Sequence, residues 1–247
     1  RGLGDVYKRQ PYIQWVVTIF MILFGVNFNT YFLLLLRRFR RAAASEEVRG
    51  YFLIILVAIG IITLNIHGMY DSLGVALRHA AFQVGSIITT TGFSTSDFNL
   101  WPGFSRTILV LLMFVGACAG STGGGIKVSR IVVAVKAVAK ELARFIHPRN
   151  VRMLKLEGKK VEHETLRTIN IFLTAYFLLF ALSTLLISLD NFDLITSFTS
   201  VAATLNNIGP GLEIVGPMSN FSAFSGLSKC VLMFVTVSYT HLRAHET

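Results

Sequence analysis

Three stretches of this sequence, residues 12–36, 51–70 and 169–189, are dominated by apolar side chains and hold no charged one. An α-helix rises about 1.5 Å per residue, so about 20 residues cross the hydrocarbon core of a bilayer. Each stretch reaches that length, and in lipid a lone apolar segment satisfies its backbone only as a helix. The chain as a whole is 53% hydrophobic and 15% charged. These features predict an all-α integral membrane protein.

The net charge of +10 raises the question of a nucleic-acid partner, and its distribution answers against one. Basic residues crowd two connections. The first holds Arg37, Arg38, Arg40, Arg41 and Arg49, and the second holds eleven between Lys127 and Arg167. The segments between carry Asp71, Asp97, Asp190, Asp193 and Glu213 instead, with only Arg78, Arg106 and Lys229 for balance. Excess Lys and Arg mark the cytoplasmic side of a membrane protein. The same charge therefore sets topology and calls for no nucleic acid. The cysteines, Cys118 and Cys230, lie in apolar runs, and the histidines form no ligand pair. No nucleophile–base or metal arrangement indicates an enzyme, and no cofactor is expected.

The spans alternate with shorter apolar segments that end on polar residues and glycine. Helix one covers residues 12–36 and ends at the arginine cluster, and helix two covers about 48–70, with Ser45, Glu46 and Glu47 at its start. Residues 73–90 form a half-helix that dips into the membrane, turns at 89–92 and returns as 93–102. Helix three starts near Phe104, meets Gly120–Lys127, and resumes as an amphipathic basic helix to Pro148. A cytoplasmic loop follows to Arg167. Helix four covers about 168–189, residues 192–206 form the second half-helix, 207–219 its return, and helix five starts near Asn220. The unit of helix, half-helix, glycine turn and helix thus occurs twice, with Gly92 and Gly209 separated by 117 residues. Residues 11–47 read as the last helix of a preceding unit with its loop, 48–167 as one full unit, and 168–236 as a further, shortened one. The ends, 1–10 and 237–247, resemble translated adaptor sequence and are expected to be non-native, with the last helix breaking after Thr236.

The two turns carry the chemistry. The first is Thr89, Thr90, Thr91 and Gly92; Asn206, Asn207, Ile208 and Gly209 take the same places in the second. Non-helical backbone at membrane depth is tolerated where it is buried or lines water. A half-helix that ends in this way leaves carbonyls and hydroxyls unpaired, and oxygens can replace the hydration shell of a monovalent cation. Glycine admits positive φ, which lets successive carbonyls point one way. The half-helix also turns its negative C-terminal end toward the membrane centre. Either turn alone would pass for an ordinary loop; their recurrence indicates a pore.

The third signal is GACAGSTGGGIK, with Gly116, Gly120, Gly123, Gly124 and Gly125 within ten residues of a mid-membrane helix. Each glycine costs a helix interior about 1 kcal/mol relative to alanine. This stretch, including Ser121, Thr122 and Lys127, should unwind into a loop below the filter and act as a gate, or else serve close helix packing. A phosphate loop is excluded, because Ile126 and Val128 break the Gly-Lys-Ser/Thr pattern and no strand precedes it.

TTTGFST (89–95), NNIGPGL (206–212), GSTGGGIK (120–127) and WVVTIFMILFGVNFNTYFLLL (15–35) together resemble the TrkH/KtrB family of bacterial potassium transporters. The likeness covers residues 11–236. It implies four helix–pore–helix repeats arranged like a potassium-channel pore, with 89–92 and 206–209 as the third and fourth filter segments holding potassium, and 120–127 as the intramembrane gating loop. It also implies potassium uptake across the bacterial inner membrane, a homodimer, and a TrkA-like cytosolic nucleotide-binding ring as regulatory partner. A broken-helix secondary transporter of another small solute is the alternative, but it predicts inverted repeats, and these run parallel.

Overall fold

The computed structural model describes residues 10–146, 155–156 and 158–244. Helices dominate it. In chain order they are α1 (Pro11–Phe24), α2 (Phe28–Leu35), α3 (Phe39–Ala43), α4 (Glu46–Ile66), α5 (Leu73–Ile88), α6 (Gly103–Phe114), α7 (Val128–Ile146), α8 (His163–Ile187), α9 (Leu194–Leu205) and α10 (Gly226–Ala244). A two-stranded hairpin, Lys155–Leu156 with Lys159–Lys160, lies between α7 and α8.

The helices assemble as two triples. In the first, α4 and α6 pack on the half-helix α5, and α1 lies along its other side. In the second, α8 and α10 pack on the half-helix α9. Their long apolar members are Glu46–Met69 and His163–Asp190, each counted with its terminal 3₁₀ turn and long enough to cross a bilayer. The half-helices are buried along most of their length: Gln83, Val84, Ser86 and Ile88 on α5 and Ser197, Val201, Ala202 and Leu205 on α9 are closed off from solvent. Leu53, Leu56, Leu64, Leu178, Leu182 and Leu185 on the long helices face outward. Apolar cores within and apolar faces without belong to a protein solvated by lipid.

The triples meet at α6, through contacts to α9, and through α7 against α8. An aromatic trio fills the first junction. Phe114 of α6 lies 5.3 Å from Phe180 of α8 and 5.9 Å from Phe198 of α9, ring centre to ring centre, and Phe180 and Phe198 are 4.8 Å apart, edge to face. Arg130 at the start of α7 sits 3.8 Å over the ring of Phe172. Emptying the trio with Phe180→Ala should cost about 3 kcal/mol, read as a lower Tm of the purified protein in detergent; an unchanged Tm would mean the repeats are held elsewhere.

Several boundaries differ from the sequence expectation. Residues 12–36 are not one straight helix: α1 and α2 meet at 94°. Gly25 ends α1, and Asn27 starts α2 by accepting a hydrogen bond from the Asn29 amide at 2.8 Å. Of the last carbonyls of α1, Ile22 takes the Tyr51 hydroxyl at 3.0 Å, and Leu23 takes the Val26 amide at 2.9 Å and the Tyr31 hydroxyl. Helix four starts at His163 rather than near Thr168, because residues 163–167 continue the helix without glycine or proline. The last helix does not break after Thr236 but continues to Ala244, through residues that carry no helix breaker. Ser45 precedes α4 without a side-chain cap. The expectations for residues 1–9, 245–247 and the helix end at Pro148 fall outside the described residues.

Candidate ion-conduction site

Both half-helices end in the same way. At the end of α5 the Thr90 amide bonds the Ile87 carbonyl at 3.0 Å and the Thr91 amide bonds Ser86 at 2.9 Å. At the end of α9 the Asn207 amide bonds Thr204 at 3.1 Å and the Ile208 amide bonds Ala203 at 2.8 Å. These are Schellman terminations, which need one left-handed residue. Thr90 (φ 55°) and Asn207 (φ 56°) supply it. Asparagine tolerates that conformation, whereas a β-branched threonine is held there at a cost of order 1–3 kcal/mol. Gly92 (φ 75°) and Gly209 (φ 106°) then repeat the positive φ two residues on. Residue for residue, 89–92 and 206–209 share one backbone path.

That path leaves oxygens free. Among the described residues, none of the backbone carbonyls of Thr89, Thr90, Thr91, Gly92, Asn206, Asn207, Ile208 and Gly209 accepts a hydrogen bond. Thr89, Asn206 and Ile208 are buried while Thr91, Asn207 and Gly209 are exposed, so the row borders open space that a polar visitor can reach. The negative ends of both half-helix dipoles lie at these turns and favour a cation there. The two segments also touch. A Cβ built on Gly92 would lie 2.0 Å from the Ile208 carbonyl oxygen and 3.3 Å from Pro210 Cδ.

The hydroxyls are not free, contrary to the sequence expectation. Thr89 Oγ1 donates to the Gly85 carbonyl at 2.6 Å and lies 2.8 Å from Thr91 Oγ1. Thr90 Oγ1 accepts from the Gly124 amide at 2.7 Å. The Asn206 side chain is fully buried, taking the Tyr176 hydroxyl at 2.9 Å and giving its amide to the Ala202 carbonyl at 2.9 Å. Thr89 and Asn206 thus bond back to their own helices, while Thr90 and Asn206 also reach the glycine loop and α8 respectively. Removing one such support, Tyr176→Phe, leaves the buried Asn206 oxygen without its donor, a loss of about 1–3 kcal/mol. Hydrogen exchange at the Asn206–Gly209 amides should accelerate; unaltered protection would mean that the hydroxyl contributes nothing to the segment.

The glycine-rich stretch is unwound, as the glycine count predicts. Helix ends at Phe114 and resumes at Val128. Between them Val115 and Ile126 pair across the loop, with the Gly116 amide on the Ile126 carbonyl at 2.8 Å. The loop is seated on both half-helix ends: a Cβ on Gly124 would stand 2.5 Å from the Asn206 carbonyl oxygen, and one on Gly123 would stand 3.3 Å from that of Thr89. Gly116 backs onto the Gly124 carbonyl. Gly120 and Gly125 hold positive φ, and Ser121 bonds the Cys118 carbonyl at 2.6 Å. Lys127 is buried and donates to the Gly123 carbonyl at 2.6 Å. Thr122 is exposed at the loop's edge, 3.5 Å from the Phe24 carbonyl.

Two anchors escaped sequence reasoning. Glu47, in the first turn of α4, is buried, and its Oε1 accepts from the Ala119 amide at 2.6 Å and the Ser129 amide at 3.1 Å. One carboxylate oxygen thus holds the loop and the first turn of α7. The other anchor is the α1–α2 break, where Gly25 accepts from the Cys118 amide at 3.0 Å and the Phe28 amide donates to the Gly120 carbonyl at 3.3 Å. The only sequence signals were an acidic pair at a helix start and a Gly-Val-Asn inside an apolar run. Past the two turns in each unit, Asn99 and Glu213 exchange side-chain-to-backbone hydrogen bonds at 3.0 and 3.1 Å, and Arg106 pairs with the Glu213 carboxylate at 2.7 Å.

Paired half-helices with matched terminations, set among apolar helices of membrane-spanning length, define a repeat-built membrane protein. Comparison agrees: the profile of the TrkH family, described as cation transport protein, matches residues 5–238, and this chain belongs to that family. It is 37% identical over 230 residues to the Trk system potassium uptake protein TrkH of Salmonella typhimurium, which covers 92% of this chain and 47% of the relative. To the Trk system potassium uptake protein TrkG of Escherichia coli it is 29% identical over 236 residues. The crystal structure of the potassium transporter TrkH from Vibrio parahaemolyticus superposes with a TM-score of 0.85 at 32% identity, covering 93% of this chain and 50% of that one. The chain spans about half the length of the curated relatives it matches.

Proposed function

We propose that this chain supplies two of the four filter segments of a potassium-uptake pore in the bacterial inner membrane. The carrying observation is the row of unbonded carbonyls on two half-helices with matched terminations. Carbonyl oxygens fixed by Schellman turns replace the water of a monovalent cation entering from outside, and potassium passes as substrate from one group to the next. Relatives are named for potassium uptake, which supports potassium as the ion. The loop at 115–127 serves as the gate: seated, its Gly123 and Gly124 lie against the filter's inner end. Flux then requires the loop to leave that position.

The resemblance further assigns the full-length protein to a homodimer above a TrkA-like nucleotide-binding ring. The amphipathic helix α7 suits such contact, because it carries Lys136, Lys140 and Arg144 beside outward-facing Val135, Val138 and Phe145. The two broken helices are also what a broken-helix secondary transporter would use, and this is the second reading.

Rubidium uptake by the full-length protein, expressed in cells deprived of their own potassium uptake, tests the proposal. Uptake that potassium displaces and that sodium displaces poorly is the expected result. Good expression with no rubidium uptake would favour the second reading.

A further inference from the structure

The two filter segments share a backbone path, but their exits are held differently. Behind the first, one face of α5 presents His79, Gln83 and Ser86, spaced four and three residues apart and so stacked along the helix. Each meets one residue of the returning chain, in reverse order. Ser86 Oγ donates to the Phe93 carbonyl at 2.6 Å. Gln83 Nε2 donates to Ser94 Oγ at 3.0 Å, and Ser94 Oγ passes its own proton to the Ser96 carbonyl at 2.7 Å. His79 Nδ1 and Thr95 Oγ1 are 3.1 Å apart. The result is a lace of hydrogen bonds that ties residues 93–96 to the half-helix. Its middle member, Gln83, is fully buried, as is Ser86. The lace also ends the carbonyl row, since Phe93 turns its oxygen toward α5, one residue after Gly92.

The second exit has no such lace. At the positions 117 residues on stand Thr196, Ser200 and Ala203. Thr196 Oγ1 is buried without a partner among the described residues, Ser200 bonds back into its own helix at Ser197, and Ala203 has no polar atom. There the chain is held by Thr199 Oγ1, which accepts from the Leu212 amide at 3.0 Å, and by Pro210.

We propose that Gln83 is a positioning residue for ion discrimination: it fixes the spacing of the carbonyls of Thr91 and Gly92 from behind, and its counterpart in the second segment does not. The proposal rests on the filter reading above. It assigns unequal duties to the two segments, one laced and dimensionally fixed, the other free to adjust.

The test is rubidium uptake by the full-length protein against increasing sodium, with Gln83→Leu, Ser94→Ala, Ser200→Ala and Gly92→Ser beside wild type. Gln83→Leu keeps volume and removes the donor; Ser94→Ala removes the bridging hydroxyl. Each should lower rubidium-over-sodium preference by roughly three- to tenfold while maximal uptake per protein in the membrane stays within about twofold. The double variant should be no worse than the stronger single one, because both cut one lace. Ser200→Ala should match wild type. If Gly92→Ser changes the preference and neither Gln83→Leu nor Ser94→Ala does, the lace proposal is overturned and the filter reading stands. If all four match wild type, both fall. Should Gln83→Leu fail to reach the membrane, Ser94→Ala decides alone.

Discussion

Gly92→Ala in the full-length protein should abolish ion discrimination or transport altogether, whereas Gly209→Ala should only weaken it. Both glycines hold positive φ, so either substitution meets backbone strain of order 1 kcal/mol. They differ in what surrounds them. A Cβ on Gly92 would stand 2.0 Å from the Ile208 carbonyl oxygen, a backbone atom of the second turn; one on Gly209 meets nothing within 4 Å. The first therefore pushes two segments apart and misplaces a carbonyl, and the second only strains its own turn. Ion preference responds about tenfold per 1.4 kcal/mol. Sodium competition against rubidium uptake should show the loss at Gly92 exceeding that at Gly209 by about tenfold or more. Equal effects would mean that the two segments do not meet across Gly92.

On the proposed gating role of the 115–127 loop, Glu47→Ala in the full-length protein should release it. The carboxylate oxygen accepts two backbone amides, one in the loop and one at the start of α7. Hydrogen bonds to a charged group contribute about 1.5–3 kcal/mol each. A seated loop that alone enjoys both loses at least about 3 kcal/mol relative to an unseated one, which moves the population roughly a hundredfold. Rubidium uptake by the full-length protein should rise accordingly. Glu47→Gln retains an oxygen at that position without the charge, so its effect should be distinctly smaller. A Glu47→Ala protein whose uptake equals wild type, at equal expression, would remove Glu47 from the gate.

These two cases also show what was readable in the chain. Gly92 was legible because Thr-Thr-Thr-Gly recurs as Asn-Asn-Ile-Gly at the same place in two membrane units. The unwound loop was legible because so many glycines cannot remain helical. Glu47 was not, because at a helix start an acidic residue has an ordinary reading as a partner of the helix dipole. Its true partners lie 72 and 82 residues away. The bend after Phe24 was hidden for a related reason. Hydropathy runs unbroken through Gly-Val-Asn, and only tertiary contacts reward a break there. Thr90 was misread in its conformation: the positive φ expected of glycine alone falls also on a residue that resists it, held by its Schellman bonds and by Gly124.

The break between α1 and α2 and the unwound loop each supply what the other lacks. Gly25 and Phe28 lend a carbonyl and an amide, and Cys118 and Gly120 return their counterparts. Hydrocarbon offers no substitute for either bond. A loop that withdrew by degrees would strand these groups one after another at membrane depth. On the proposed gating role, a loop that moves must therefore break its bonds to Gly25 and Phe28 as well as those to Glu47, so the α1–α2 break and the loop are coupled. A change that reaches either broken helix thus bears on the other, although the two lie about ninety residues apart in the chain.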